Sequence, residues 1–537
     1  MLMDAKNSEF NFKNAKNLPL ALLSNLLGRI TPWIYRPELP SIINLSTITR
    51  EQTQLRGILN RAGESEIHLF IVPSLSFNYQ QIKDILGISY YELRTLWHIL
   101  KSTPRIKVYF ISTYPVSQET IDYYFSFHQD QKQAKKNIIF LNLKEHAKED
   151  INNEYSLSEN ILNSPSFIEK IKDYIVPGAS YLSPFMGTSL ENKLARQLNI
   201  PLYGLHQDLE LFNTKTVNRN VFKHCRILYP QGVENLRSDQ QIIKALNDMW
   251  SSMNEGKVVF KFNEGVSGKG NLFIDFPCRY KQLDIKNKSE IKIILANLLE
   301  KIKTEFLSKG ISFNEQIKNG AIIEEFIDGE SKSSPSVQGN ISPAGEVKIF
   351  STHEQILDSS GNVYQGCLFP AHSDYRQNLQ QVAKQIGTQL YQYRVIGPFS
   401  IDFLAVKKNN QYYCYAIEIN VREGGTTHPY QIAKMLTQSV YDISKGILVD
   451  QKNRDIYYLS DDNLTAKNLI GKEIKDFLQF VQKSSLHFNP VTNTGAFFHM
   501  LGPMKEYGKI GVTIIGNNSS ELDKTYQKVV KMIASFE

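Results

Sequence analysis

Two carboxylates and a carboxamide lie close together on a β-hairpin predicted from the sequence. Asp402 belongs to one strand, Glu418 and Asn420 end the next, and the polar turn 407–411 joins them. Counting back from the turn places Asp402 opposite residues 417–418. Two carboxylates buried together without a cation would force one to take up a proton, and oxygen donors of this kind suit Mg²⁺. The hairpin therefore indicates a magnesium site, with a charged sheet edge as the alternative.

An anion-binding loop follows the hairpin directly, in the string REGGTTHP at 422–429. Arg422 shares the strand face of Glu418 and Asn420, so it could bind a carboxylate or a phosphoryl group with both arms of its guanidinium. Backbone and hydroxyl donors of the next residues suit an oxyanion. The candidate catalytic residues are Arg422, Gly424, Gly425 and Thr426.

A lysine strand and a glycine-rich loop form a third candidate, in the string VVFKFNEGVSGKGN at 258–271. Lys261 projects beside the loop 264–270, where backbone N–H groups can approach phosphate oxygens because no Cβ intervenes. The spacing is not that of a P-loop, because only two residues separate Gly265 and Gly268. The alternative is a lysine on a strand edge next to a turn. The candidate phosphate-binding residues are Lys261, Gly265, Ser267, Gly268, Gly270 and Asn271.

An apolar strand at 321–327 ends in two acids and a glycine turn. Its backbone could pair with the edge of an adenine base, and a nearby acid could accept from ribose hydroxyl groups. A solvated strand end is the alternative. The candidates are Glu324, Glu325, Phe326, Ile327 and Glu330.

These motifs must be positioned by a mixed fold of helices and strands. Before residue 206, strands at 67–75, 106–112, 137–143, 181–185 and 201–205 alternate with helical stretches at 90–100 and 190–198, which predicts a mostly parallel sheet covered on both faces. The middle part has strands at 258–262, 321–327, 347–352, 400–406 and 411–420 and a helix at 375–394. The last part has a helix at 466–483, strands at 494–501 and 508–516, and a helix at 520–535. We expect a linker at 461–463.

Composition excludes several classes of protein. The 537 residues carry 61 basic and 54 acidic side chains, a net charge of +7 that is too dilute for a nucleic-acid-binding protein. The four cysteines are widely spaced, which argues against a zinc site or a disulfide scaffold and predicts free thiols in the cytoplasm. No apolar stretch is long enough to span a membrane. The pair His353-Glu354 does not begin a zinc-binding HExxH motif, because residue 357 is leucine.

The chain order of these motifs resembles that of the ATP-grasp superfamily: a lysine strand, a glycine-rich flap, an adenine segment and a D…E-x-N metal hairpin. More narrowly, the strings EINVREGGTTHP, STHEQILD and YQGCLFPA look like those of the pheganomycin-type peptide ligases. Lys215 and Arg219, in LFNTKTVNR, resemble the basic residues that precede the ATP-binding strands of that family. Glu330 stands one position earlier than the ribose-binding acid of some ATP-grasp ligases, so the ribose ligand stays open.

The resemblance implies a fold of mixed α/β and α+β class. An ATP-grasp core at 206–450 would follow an α/β pre-ATP-grasp domain at 61–205 and an N-terminal extension at 1–60, and a small α+β C-terminal domain would occupy 455–537.

The resemblance also implies a function. Ligases of this kind use ATP and Mg²⁺ to convert a carboxylate into an acyl phosphate, which an amine attacks to give an amide. Lys215, Arg219 and Lys261 would then hold phosphates, and Asp402, Glu418 and Asn420 would hold Mg²⁺. The expected partners are small amino acids or peptides, with no nucleic acid and no membrane, and a homo-oligomer is possible. The alternatives are a small-molecule kinase of the same fold and a non-catalytic ATP-binding protein.

Overall fold

The structure is a computed structural model that describes residues 45–61, 63–101, 103–128, 130–252, 256–265, 268, 270–276, 288–358, 361 and 363–537. Ser267, one of the predicted phosphate-binding residues, lies outside these residues, as does Cys278. No helix in the described ranges is both long and apolar enough to cross a membrane.

A parallel sheet forms the first part of the fold. Its strands are β1 (Ile67–Val72), β2 (Ile106–Ser112), β3 (Ile138–Asn142) and β4 (Ser180–Pro184), paired in the order β3-β2-β1-β4. Both faces of β1 are buried, as its continuous apolar run predicts. The helices here are α1 (Leu45–Asn60), α2 (Tyr79–Ile82), α3 (His98–Lys101), α4 (Gln118–Phe125), α5 (Gln131–Asn137), α6 (Leu143–His146), α7 (Leu157–Leu162), α8 (Pro165–Lys172) and α9 (Ser189–Leu198).

The middle part begins with a small antiparallel sheet. Strands β5 (Gly232–Leu236), β6 (Lys257–Phe262), β7 (Asn271–Asp275) and β8 (Ala321–Glu325) pair in the order β5-β8-β6-β7. Helices α10 (Lys215–His224), α11 (Asp239–Ser252), α12 (Lys288–Ser308) and α13 (Phe313–Gln316) accompany it. The inward faces of α11, α12 and β6 share one apolar core that includes Trp250, Phe260 and Phe306. This core fixes the direction in which the alternate face of β6, with Lys261, must point.

A large antiparallel sheet forms the rest of the molecule. Its main path is β14-β13-β10-β11-β12-β17-β16-β15, and β9, β18 and β19 pair beside it. The strands are β9 (Ser331–Ser333), β10 (Pro335–Ile341), β11 (Val347–Leu357), β12 (Tyr364–Phe369), β13 (Gly397–Lys408), β14 (Gln411–Asn420), β15 (Val440–Asp442), β16 (Ile447–Val449), β17 (Asp455–Thr465), β18 (Gly495–His499) and β19 (Lys509–Gly516). Its helices are α14 (Ser373–Gln392), α15 (Thr427–Thr437), α16 (Ile474–Gln482), α17 (Met504–Tyr507) and α18 (Leu522–Ala534).

Two sequence predictions about this architecture are wrong. The expected linker at 461–463 lies inside β17, which pairs with β12 on one side and β19 on the other. Asp-Asp-Asn has a low strand propensity, but tertiary pairing and the burial of Asp462 override it. The expected strand at 201–205 is only an isolated bridge between Leu182 and Leu202, because the chain turns away after one pair.

Candidate active site

A cavity of about 680 Å³ lies where all three parts of the fold meet. Such a volume is typical of a site for a small molecule. The predicted residues that line it are Lys215, Gly265, Gly268, Gly270, Asn271, Asp402, Glu418, Asn420, Arg422, Gly424, Gly425 and Thr426. Most of the predicted metal, anion and glycine-loop residues therefore meet in one place, although they span two hundred positions of the sequence.

The carboxylate hairpin has the predicted register. Asp402 pairs with Glu418 across β13 and β14, and a β-bulge follows between Asp402 and Phe403. The turn is made by Asn409 and Asn410, both at positive φ, which asparagine tolerates better than most residues. Because β10 and β14 pair with the two edges of β13, the backbone of Asp402 lies in the interior of the sheet, and its side chain lines the cavity.

The two carboxylates have different electrostatic environments. Burial, and then the neighbouring charge of Glu418, raise the pKa of Asp402 to about 6. Burial alone would also raise the pKa of Glu418, but the nearby charges of Lys215, Lys261 and Arg422 lower it below its usual value. Lys215 Nζ lies 2.8 Å from Glu418 Oε1. The charge of Arg422 and the hydrogen bonds from Gln355 and Asn420 oppose the rise of the Asp402 pKa only in part.

The donor set of this hairpin fits a divalent metal ion. Asp402 Oδ2 accepts a hydrogen bond from Asn420 Nδ2 at 3.1 Å, and Asp402 Oδ1 accepts one from Gln355 Nε2 at 2.7 Å. The side chains of Asp402, Glu418 and Asn420 thus lie together on the hairpin, and each carries an oxygen of the hard type that Mg²⁺ prefers. These three residues could hold the metal.

Arg422 lies against the same cluster. Its Nη2 donates to Asn420 Oδ1 at 2.9 Å, and its Nη1 donates to the carbonyl of Glu423 at 3.0 Å. Burial lowers the pKa of Arg422, and the charges of Glu418 and Asp402 oppose that shift. A guanidinium group beside two carboxylates, on the wall of a cavity, can bind an anion that approaches the metal ligands.

The GGTT loop is fixed by contacts on both sides. Gly425 O accepts from the Tyr364 hydroxyl at 3.2 Å, and a Cβ on Gly425 would lie 2.7 Å from the Tyr364 ring, so only glycine fits there. Thr426 Oγ1 accepts a hydrogen bond from Gln338. Gly424 N–H donates to Thr427 Oγ1 at 3.0 Å, so this donor is already used inside the loop.

Lys261, on the lysine strand, belongs to a buried ion-pair group next to the carboxylate hairpin. The carboxylate of Glu324 lies between Lys261 Nζ and Arg219 Nη1, the second at 3.1 Å. Arg219 Nε also contacts Glu234 at 2.9 Å. Lys261, Arg219 and Glu324 are all buried. Glu324 is therefore a partner of the two cations, and its oxygens are not free for a ribose.

The predicted adenine segment comprises the end of β8, an inner strand of the small sheet, and the residues that follow it. The Phe326 ring contacts two cations, Lys257 at 4.7 Å and Lys332 at 4.2 Å from its centroid. Ile327 is buried, whereas Glu330 is exposed and its Oε1 accepts from the Asn409 N–H at 2.9 Å. Glu325 Oε1 accepts from the Gln231 N–H at 2.8 Å. Among the described residues, neither this segment nor Lys261 contributes to the cavity wall.

Sequence reasoning missed several residues of the site. Gln355 lies in the quoted string STHEQILD, and its pairing with Asp402 follows from the order β13-β10-β11, which no local pattern reveals. Arg94 and Lys509 also line the cavity, from the 3₁₀ segment Ile88–Trp97 and from the start of β19. Nothing in their spacing relates them to the motifs of the middle part.

A buried network connects the anion loop to both neighbouring parts of the fold. Asp462 Oδ1 accepts from His428 Nε2 at 2.9 Å, and Asp462 Oδ2 lies 2.8 Å from Arg94 Nη2. His499 stacks edge-on against His428 at a ring distance of 4.9 Å. Ligand atoms of His428, Asp462 and His499 lie within 4.8 Å of one another, as a metal site would require. In the structure Asp462 pairs with His428 and Arg94, and these contacts make the cluster part of an ion-pair network.

Comparisons with known proteins found two matching families and two relatives of known name. Residues 278–444 match the family described as IQCH-like, ATP-grasp, and residues 476–529 match the PGM1 C-terminal domain. The L-propargylglycine–L-glutamate ligase of Streptantibioticus cattleyicolor is 22% identical over 369 residues, which cover 68% of this chain and 72% of that protein. The IQ motif-containing protein H of Danio rerio is 22% identical over 304 residues, 51% of this chain but 29% of that protein.

The fold is that of the ATP-grasp proteins. Biotin carboxylase from Campylobacter jejuni, solved as a β-γ-ATP complex, superimposes with a TM-score of 0.50 at 14% identity, over 86% of this chain and 90% of that one. With the family match in the middle part, the predicted ATP-grasp fold of mixed α/β and α+β class is confirmed. The chain resembles the ATP-grasp carboxylate–amine ligases.

Proposed function

We propose that this protein is an ATP-dependent carboxylate–amine ligase that forms an amide or peptide bond through an acyl phosphate. The observation that carries the proposal is the contact of Arg422 with Asn420, beside Asp402 and Glu418, on the wall of one cavity. A carboxylate substrate bound by Arg422 would lie next to the metal ligands and therefore next to the phosphates of ATP. A relative whose name describes the joining of two amino acids supports the same reaction class.

The cofactors are ATP and Mg²⁺, as the ATP-grasp fold implies. The metal, held by Asp402, Glu418 and Asn420, would neutralise charge on the phosphates of ATP. Lys215 lies beside Glu418, and Lys261 is joined to Arg219 through Glu324. These cations would stabilise the remaining phosphate charge, and Gly265, Gly268, Gly270 and Asn271 would contact the phosphates through the backbone. The adenine base would lie against Glu325, Phe326 and Ile327, and Glu330 would accept from the ribose.

In the proposed reaction, a carboxylate oxygen attacks the γ-phosphorus, and the bond between that phosphorus and the bridging oxygen of ADP breaks. The amine nitrogen then attacks the acyl carbon, phosphate leaves, and the nitrogen loses its proton. Arg422 would orient the carboxylate and then hold the acyl phosphate. The GGTT loop would stabilise the tetrahedral oxyanion through donors of Gly425 and Thr426. The Gly424 N–H could take part only after it breaks its hydrogen bond to Thr427.

The proposed substrates are small amino acids or peptides. The domain boundaries near residues 60, 205 and 450–455 remain predictions. A cytoplasmic location also remains a prediction. The continuous pairing of β12, β17 and β19 means that the last part of the chain completes the same sheet as the metal hairpin.

Hydroxylamine trapping tests the reaction class. With ATP, Mg²⁺ and a mixed library of amino acids and peptides, hydroxylamine in place of the amine should give a hydroxamate and ADP. Arg422→Ala should abolish this product while weakening ATP binding much less, and the exposed Arg56→Ala serves as the control. A stable phosphate ester of a hydroxyl compound, with no hydroxamate from any carboxylate, would favour the kinase alternative. Binding of ATP without turnover would favour the non-catalytic alternative.

A further inference from the structure

The cavity contains a second pair of cations that the proposed reaction does not use. Arg94 and Lys509 both line it, and both lie close to Tyr91. Arg94 Cζ is 4.1 Å and Lys509 Nζ is 5.0 Å from the centroid of the Tyr91 ring. Arg94 thus contacts an aromatic ring, which favours a cation, and Lys509 contacts the hydroxyl group of the same residue.

Lys509 has only neutral partners in the described part of the chain. Its Nζ donates to the carbonyl of Leu86 at 2.9 Å and to the Tyr91 hydroxyl at 3.0 Å, and the residue is only 2% exposed. Asp461 acts on it through charge alone, since its carboxylate accepts from the Tyr526 hydroxyl at 2.5 Å. The two hydrogen bonds leave one N–H of the ammonium group for a ligand, and an anion is the partner that a buried ammonium group favours.

Arg94 has one ion-pair partner and keeps a donor for a ligand. Its Nη2 lies 2.8 Å from Asp462 Oδ2, whereas its buried Nε has no hydrogen-bond partner among the described residues. Both Arg94 and Lys509 therefore offer N–H donors on the cavity wall.

This second pair lies near the proposed reaction centre. Burial is the main cause of the lowered pKa of Arg422, and the charge of Arg94 adds to it, so the two guanidinium groups are close enough to interact. Apolar side chains of Phe77, Leu86 and Phe185 line the same cavity. One end of a ligand could therefore lie at Arg422 and the metal ligands. A carboxylate at its other end could then lie at Arg94 and Lys509.

We propose that Arg94 and Lys509 bind the α-carboxylate of an amino acid that serves as the amine substrate. This inference rests on the proposed ligase function and specifies the class of its amine substrate. The carboxylate that ATP activates is assigned to Arg422. The carboxylate bound by Arg94 and Lys509 is therefore a second one, which is not activated. In an α-amino acid one carbon separates the carboxylate from the amine, and cations that hold the first also position the second for attack.

A competition experiment tests this assignment. Each proteinogenic L-amino acid except aspartate and glutamate, whose side chains carry a second carboxylate, is mixed in equal amounts with its own primary amide, together with ATP, Mg²⁺ and the enzyme. The primary amide has no carboxylate, so it can act only as the amine substrate, and the two products differ in mass. The wild-type enzyme should favour the free acid by about tenfold or more, since a charge-assisted contact distinguishes the two amines.

Lys509→Met should reduce this preference to about twofold or less. Because both products form in the same tube, their ratio does not depend on the folded fraction. Lys505→Met is the matched control, since Lys505 is exposed and paired with Glu473, and it should keep the wild-type ratio. If Lys509→Met does not fold, Arg94→Lys retains the charge opposite Asp462 but loses the guanidinium fork, and it should also lower the preference.

Equal use of acid and amide by the wild-type enzyme would overturn the inference while leaving the ligase function intact. An unchanged ratio in both Lys509→Met and Arg94→Lys would do the same. If no amine yields an amide, the proposed function fails, and equilibrium binding then decides the inference separately. In the presence of a non-hydrolysable β,γ-ATP analogue, amino acids should bind wild-type protein about tenfold more tightly than their amides, and equal affinities would refute the carboxylate site.

Discussion

Asp402 and Glu418 face each other across the hairpin, yet their pKa values shift in opposite directions. Lys215 contacts Glu418 directly, and with Lys261 and Arg422 it keeps that carboxylate charged. Asp402 receives hydrogen bonds from Gln355 and Asn420, which do not offset its burial, and its pKa rises to about 6. A divalent cation bound to both carboxylates would lower the pKa of Asp402 as well, because it would favour the charged form of both groups.

Replacing Glu418 tests the metal assignment. Glu418→Gln keeps the size of the side chain and an oxygen that can accept from Lys215, but it removes one negative charge from the proposed metal ligands. Release of ADP at saturating Mg²⁺ should fall by about two orders of magnitude or more, as expected when charge stabilisation of several kcal/mol is lost. A coupled ADP assay measures this, and the exposed Glu346→Gln should behave like wild type. Near-normal ADP release by Glu418→Gln would show that this carboxylate is not a metal ligand.

Lys261 can be removed without leaving its carboxylate partner unpaired. Glu324 also contacts Arg219 at 3.1 Å, so the buried charge keeps one partner in Lys261→Ala. The dissociation constant for ATP should rise about tenfold or more, since a charge-assisted phosphate contact contributes about 1.5–3 kcal/mol. Isothermal titration calorimetry gives the constant, with the exposed Lys301→Ala as control. An unchanged affinity would make Lys261 a purely structural partner of Glu324.

At the scale of elements, the hairpin was predictable because its register depends on one short turn. Asn409 and Asn410 fix the pairing of β13 with β14, so residue counting was enough to place Asp402 opposite Glu418. The strand 201–205 and the linker at 461–463 could not be predicted correctly, because neighbours distant in sequence decide them. β17 is a strand only because β12 and β19 cover both its edges.

The Asp462 network predicts how strongly the anion loop depends on β17. Asp462→Asn removes the buried negative charge between Arg94 and His428 and leaves the guanidinium without a counter-ion. Loss of one partner of a buried ion pair typically costs about 3–5 kcal/mol, so the midpoint of urea unfolding should fall markedly. Asp455→Asn, on the same strand but in a half-exposed pair with Lys445, should cost at most about 1 kcal/mol. Equal effects of the two variants would refute a structural role for the network.

At the scale of the whole molecule, the site is built from segments that no local pattern connects. Residues of the metal hairpin and the glycine loop were found from their own strings, because the chemistry of each string is local. Arg94, Gln355 and Lys509 reach the cavity only because the parallel sheet, β11 and β19 converge on it. Their identification needed the order of strands in the large sheet, which depends on long-range pairing.

Buried neutral histidines make the stability of the whole molecule depend on pH. Burial lowers the pKa of His353 to about 3, and the same cause lowers that of His499 to about 3. The unfolded chain has a histidine pKa near ~6.5, so between these values it binds protons that the folded protein does not. Each such group contributes its full stability above about pH 6.5 and loses it progressively as the pH falls toward 3. The free energy of unfolding should therefore decrease by up to about 1.4 kcal/mol per pH unit for each histidine.

His353→Gln tests this linkage. The amide can keep a hydrogen bond to Tyr458, which lies 2.6 Å from His353 Nε2, but it cannot take up a proton. Between pH 6.5 and 4.5, the urea midpoint of this variant should fall less steeply than that of wild type, even if the variant is less stable at pH 7. His372→Asn, at an exposed helix N-cap that asparagine can also provide, should keep the wild-type slope. Parallel curves for His353→Gln and wild type would mean that His353 does not stay neutral in the folded protein, and the slope would then have to come from other groups.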